Sequence, residues 1–154
     1  MAGTRSIAKA PDRTGGSPAP VVVGIDGSSG SKAALQWAAT YAAATCAPLH
    51  AVIAWHVPLG VGWALPLSEQ GLPARHARIL LESTLDEVLG SERPPGFRAS
   101  VVEGHPVAAL LTSASQARVL VVGSRGHGGF GAMMLGSVSS SCTQHAACPV
   151  VVVR

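Results

Sequence analysis

Val119-Leu120-Val121-Val122 runs directly into GSRGHGGFGAMMLGSVSSS, residues 123–141, and this junction decides the fold. The apolar run is short and mostly β-branched, which suits a strand buried on both faces. The six glycines that follow let backbone N–H groups approach a ligand with no Cβ in the way. The Ser-rich end of the stretch opens a helix, whose first N–H groups lack partners and whose dipole presents its positive end. Strand, glycine loop and helix N-terminus together suit a phosphate chain. From Gly104 to Arg154 there is no Asp or Glu, while Arg118, Arg125 and Arg154 supply positive charge.

Outward from this junction, strands and helices alternate. Pro20–Ile25 (PVVVGI) reads as a strand, and Asp26-Gly27-Ser28-Ser29 as a turn able to cap a helix. Ser31–Thr45 carries Ala33, Ala34, Leu35, Trp37, Ala38, Tyr41 and Ala42 at helical spacing. Leu49–Val57 is a second strand, and Pro58–Gly71 is a Gly- and Pro-rich connection, long for a compact domain. A second helix is expected over Pro73–Leu89, with Leu80, Leu81, Leu85, Val88 and Leu89 buried and Gly90 as its stop. Phe97–Val102 forms a third strand, and Pro106–Ala117 a third helix with Val107, Leu110 and Leu111 inward. Val119–Val122 is the fourth strand, Ser137–Ala146 a short fourth helix and Pro149–Val153 a fifth strand.

This alternation predicts an α/β protein with a five-stranded parallel sheet between two layers of helices. Ligands of such sheets bind beyond the carboxyl ends of the strands, where strand order reverses. If the first and fourth strands are neighbours there, Gly24, Asp26 and the glycine loop face one crevice. Residues 1–19 lack periodicity and read as a disordered tail, which leaves 20–154 as one domain.

Composition narrows the function classes. Charged residues make up 12% of the chain, and the net charge of +3 is scattered with no aromatic-interleaved basic stripe, so nucleic acid is a weak candidate partner. The cysteines, three in number, show no disulfide framework, and no apolar run approaches the length of a membrane span. With no signal-peptide core, the expectation is a soluble cytoplasmic protein with no membrane partner.

Three patterns compete for the glycine loop. Gly126-His127-Gly128-Gly129-Phe130-Gly131 matches G-x-G-x-x-G, but a dinucleotide fingerprint opens the first βαβ unit and is followed by an acid, and neither holds here. A P-loop needs a G-K-[ST] end, and no lysine occurs after Lys32. What remains is Gly123-x₂-Gly126-x₉-Gly136-Ser137. Together with Pro20–Ser28, Val102-Glu-Gly104-His-Pro106 and His145-Ala-Ala-Cys148-Pro149-Val150, this spacing resembles the universal stress protein family, in particular its ATP-binding branch, over residues 20–154.

The resemblance implies a strand order of 3-2-1-4-5 and a fold like that of adenine nucleotide alpha hydrolases. It implies that Asp26 hydrogen-bonds the ribose or adenine, that Gly24 lets the nucleotide lie on the first strand, and that Ala54 offers backbone groups to the adenine edge. Gly123, Ser124, Arg125, Gly126, His127, Gly128 and Gly129 would wrap the ribose and first phosphates. Gly136, Ser137, Val138 and Ser139 would take the outer phosphates through N–H and hydroxyl groups. Mg²⁺ would ride on the phosphates of ATP, since the loop offers no carboxylate for a bare metal. A homodimer joined across the last strand is also implied. The chain departs from the family at Ala117-Arg118-Val119, where an acid usually precedes the fourth strand.

Other readings of these residues are weaker. Asp26 in Asp-Gly-Ser also suits a simple turn or cap. Cys142-x₂-His145-x₂-Cys148 offers too few ligands for a closed zinc site, and buried thiols fit it better. Met133 and Met134 suit packing or a partner surface, and Glu82, Asp86 and Glu87 a solvated helix face. No Ser/His/Asp set has a recognisable spacing, and G-x-S-x-G is absent. The function implied is a nucleotide-dependent regulatory module with little or slow hydrolysis. A weak ATPase using Asp26, or an interaction module with a vestigial site, are the alternatives.

Overall fold

The computed structural model describes residues 18–56, 71–126 and 135–154. The expectations for the tail up to residue 17, for the connection over 57–70, and for His127, Gly128, Gly129, Met133 and Met134 lie outside these residues.

In chain order the elements are β1 (Val21–Ile25), α1 (Ser29–Ala44), β2 (Leu49–Trp55), α2 (Leu72–Leu89), β3 (Arg98–Glu103), α3 (Pro106–Ser113), β4 (Val119–Gly123), α4 (Ser137–His145) and β5 (Val150–Val153). The sheet is parallel throughout, in the order β3-β2-β1-β4-β5. Because side chains alternate along a strand, each strand feeds two cores. Val21, Val23, Ile25, Leu49, Ala51, Ile53, Val119 and Val121 pack with Leu35 of α1 and Leu81 and Leu85 of α2. Val22, Val52, Leu120 and Val122 face the other way, onto Leu110 of α3 and Cys142 of α4. Val21, Val22 and Val23 are fully buried, as a central parallel strand with helices on both faces requires.

The helix boundaries follow local chemistry. Ser28, in extended backbone, caps α1: its Oγ accepts from Ser31 N at 3.2 Å. Gly90, at φ +74°, ends α2 and donates its N–H to Asp86 O. His105 caps α3, with Nδ1 accepting from Val107 N at 3.3 Å and Pro106 in the first turn.

Several sequence expectations shift. α3 stops at Ser113, four residues short of Ala117. Ser115 N bonds Thr112 O and Ala117 N bonds Ala114 O, so the chain tightens into i→i+3 turns before Arg118 N joins Pro20 O beside the sheet. β3 is displaced by one residue, because Phe97 N closes a turn onto Pro94 O. The buried stripe of α2 is Ala77, Leu81, Thr84 and Leu85, while Leu80 is 39% exposed beside the Gly27 turn. Thr84 is tolerated in that stripe because its Oγ1 donates to Leu80 O at 2.8 Å. Trp37 is also exposed, stacked on Tyr41 with ring centroids 5.1 Å apart. Glu82, Asp86 and Glu87 are exposed, and Glu87 pairs with Lys32 of α1 at 2.6 Å. Among the described residues no helix is long and apolar enough to cross a membrane.

Candidate functional site

Strand order reverses between β1 and β4, and the ladder between them stops before either strand does. The β1–β4 register runs only from Val21↔Val119 to Val23↔Val121, and the β1–β2 register stops at Ile25↔Ile53. Gly24, Val122, Gly123 and Ala54 therefore lie where the strands part. A cavity of about 310 Å³ opens at this point, within the roughly 300–1,000 Å³ that small-molecule sites take.

Of the residues singled out in the sequence, Gly24, Asp26, Ala54, Gly123, Arg125, Gly126, Gly136, Ser137, Val138 and Ser139 line this cavity. Ser124 sits behind the lining: its N–H bonds Val153 O at 2.6 Å and its O accepts from Gly136 N at 2.8 Å. The chain thus leaves β4, is tied to β5, and is tied again to the start of α4. His127, Gly128 and Gly129 are outside the described residues.

Asp26 closes a turn as well as lining the cavity. Its Oδ1 accepts from Ser28 N at 2.9 Å and from Ser28 Oγ at 2.5 Å. Its Oδ2 lies toward the glycine loop, and a Cβ on Gly126 would stand 2.5 Å from it. The glycine at 126 is thus what lets the loop after β4 come up to the end of β1.

The other glycines divide the work. A Cβ on Gly123 would lie 2.6 Å from Gly30 C, and one on Gly30 would lie 2.6 Å from Arg125 O. These two glycines let the first turn of α1 cross the exit of β4 backbone to backbone. A Cβ on Gly24 would meet Leu110 Cδ1 at 3.0 Å, so the bare strand there also admits the side chain of α3.

The start of α4 differs chemically from those of α1 and α3. Gly136 is its N-cap and provides no side-chain hydrogen bond. The N–H groups of Ser137, Val138 and Ser139 precede the first helical bond, Ser140 N to Gly136 O at 2.8 Å, and all three residues line the cavity. Such a helix end attracts an anion.

Ile25, Ser31, Val52, Pro106, Leu110 and Val122 also line the cavity, and the sequence reading placed none of them at the ligand site. They form an apolar wall, apart from Ser31. Val102-Glu-Gly104-His-Pro106 marked the start of α3 and was the available signal for Pro106 and Leu110. Arg118, at the family's missing acid, is exposed at the amino end of β4, the opposite end of that strand from the cavity. Cys142 is fully buried between the sheet and α4, and burial pushes its thiol up, with Cys148 adding to the shift.

Comparison with known proteins bears on these features. The sequence model of the universal stress protein family matches residues 19–154. Universal stress protein Rv2005c of Mycobacterium tuberculosis is 35% identical over 142 residues, covering 87% of this chain and 47% of that protein. The chain thus spans about half the length of the curated relatives it matches. Among solved structures, universal stress protein UspA from Lactobacillus plantarum superposes with a TM-score of 0.73 at 22% identity, covering 91% of this chain and all of that one. A universal stress protein in complex with cAMP superposes with a TM-score of 0.66 at 26% identity, over 90% of this chain and 99% of that one. These superpositions show that the α/β fold described above is shared with universal stress protein structures. With the family's sequence model matching residues 19–154, the chain belongs to the universal stress protein family.

Proposed function

We propose that this chain binds ATP in the crevice between β1 and β4 and acts as a nucleotide-dependent regulatory module in stress response, with little or slow hydrolysis. One observation carries the reading: Asp26, Gly126 and the uncapped start of α4 line the same cavity. In this reading the adenine lies against Val52 and Leu110, with backbone groups of Ala54 at its edge. Asp26 accepts from the ribose. Gly123 to Gly129 wrap the ribose and first phosphates, and the N–H groups of Ser137, Val138 and Ser139 take the outer ones. The complex of a relative with cAMP supports an adenine nucleotide as the ligand class.

Asp26 is the carboxylate that lines the cavity among the described residues, and Ser28 occupies its Oδ1. A divalent cation would therefore be held by phosphate oxygens and water. The same scarcity of carboxylates argues against fast hydrolysis, which needs a group to orient the attacking water. Asp26 at the site also favours a second reading, a weak ATPase in which it plays that part. Loss of turnover with retained binding in Asp26→Asn would support that alternative.

The proposal includes a homodimer along β5, whose outer edge is unpaired among the described residues and whose four valines are half-buried. It also includes a cytoplasmic location, where Cys46, Cys142 and Cys148 remain thiols. The test is mass spectrometry of nucleotide released from protein purified without added ligand. ATP in the released fraction supports the reading. Its absence, together with no thermal shift on adding ATP, would favour an interaction module with a vestigial site.

A further inference from the structure

The two serines at the start of α4 are not equivalent. Ser139 is 3% exposed, and its Oγ lies 2.9 Å from Gly136 O and 3.2 Å from Ser124 O. A serine hydroxyl has one proton. While that proton serves one of these two backbone carbonyls, the hydroxyl has none left to donate to a phosphate oxygen. Ser137 is exposed at the cavity, and its hydroxyl has no such carbonyl partner among the described residues.

Ser124 O is the point where these bonds meet, since it also accepts from Gly136 N at 2.8 Å. Ser124 N in turn bonds Val153 O at the end of β5. Ser139 thus closes a small network that fixes the first turn of α4 to the exit of β4. Gly136, the N-cap, contributes no side-chain hydrogen bond, so among the described residues the Ser139 hydroxyl is the side-chain tie from this turn to Ser124.

We infer that Ser139 is a positioning residue: its hydroxyl clamps the start of α4 to Ser124 and so aims the N–H groups of residues 137–139, which the proposed function directs at the outer phosphates. The inference rests on the ATP-binding reading for its effect on affinity, but the clamp itself exists without ligand. A neutral hydrogen bond to a buried carbonyl is modest in strength, so its loss should weaken phosphate binding by about tenfold.

The experiment compares wild type with Ser139→Ala, Ser139→Thr and Ser137→Ala, reading affinity for ATP and for adenosine and hydrogen exchange of the nucleotide-free proteins. A clamp predicts that Ser139→Ala loses about tenfold toward ATP, keeps its affinity for adenosine, and exchanges faster at residues 136–140 without nucleotide. Ser139→Thr, which keeps the hydroxyl, restores slow exchange. Ser137→Ala leaves exchange unchanged. Unchanged exchange in nucleotide-free Ser139→Ala would overturn the clamp, whatever happens to affinity. Equal loss toward ATP and adenosine would also overturn it, since that marks general damage. If wild type binds no ATP, the nucleotide reading fails while the exchange measurement still decides the clamp.

Discussion

Gly126 and Asp26 meet at the mouth of the crevice, with no room for a side chain between them: a Cβ at residue 126 would stand 2.5 Å from Asp26 Oδ2. Asp26 cannot swing aside freely, because Ser28 holds Oδ1 with both its N–H and its hydroxyl. Gly126→Ala should therefore displace the loop after β4. The expected result is a loss of at least tenfold in ATP affinity, about 1.4 kcal/mol, with a melting temperature close to wild type. Thermal shift with and without ATP checks both, and normal ATP protection in the variant would refute the assignment of the loop.

Gly123 tests a different role. Its missing Cβ makes room for Gly30, so Gly123→Ala forces β4 and α1 apart and should cost about 1–3 kcal/mol of stability. Denaturant unfolding of the nucleotide-free variant measures this. A variant as stable as wild type would mean that the crossing of α1 over β4 is looser than described.

His50 makes stability depend on pH. It is half-buried, with Nε2 2.8 Å from Ser100 Oγ, and burial followed by the nearby Arg98 charge lowers its pKa below the usual histidine value of 6.5. The unfolded chain then binds the proton more readily than the folded one, so stability is full above pH 6.5 and declines as pH falls toward the folded-state value. Melting curves between pH 8 and 5 should show this decline (roughly the range over which histidine changes charge), and His50→Gln should flatten it. An equal slope in both proteins would remove His50 as the cause.

The cysteines should separate by reactivity. Cys46 is exposed, whereas Cys142 is fully buried and its thiol is pushed up by that burial. The thiolate is the reactive form, so iodoacetamide should modify Cys46 of the native protein first and leave Cys142 untouched until unfolding. Peptide mass spectrometry reads the order, and early labelling of Cys142 would contradict its place in the core.

The dimer is open to sedimentation velocity. The half-buried valines of β5 and its edge, unpaired among the described residues, predict a dimer at micromolar concentration. A monomer at that concentration would remove the dimer from the account.

Much of this was legible in the sequence because it rests on backbone chemistry. Runs such as Val21–Val23 and Val119–Val122 have few alternatives to a buried parallel strand, and the glycine spacing pointed to the crevice that the ladders leave open. What was not legible depends on contacts between distant segments. Gly30 gives no local sign that it faces Gly123, and Leu110 none that it lies over Gly24. The end of α3 differs because Ser115 and Gln116 can continue a helix, whereas the turns at Thr112–Ser115 and Ala114–Ala117 and the bond from Arg118 N to Pro20 O draw the chain into the sheet. Leu80 suited the apolar stripe by type, yet α2 turns it toward the Gly27 turn and solvent.

The most direct test of nucleotide binding is calorimetric titration of ATP into protein first stripped of bound ligand. The account predicts saturable binding of one ATP per chain, abolished or strongly weakened by Gly126→Ala. No saturable binding by wild type at ATP concentrations up to about 1 mM, which would leave any affinity weaker than about −4.1 kcal/mol, would contradict it.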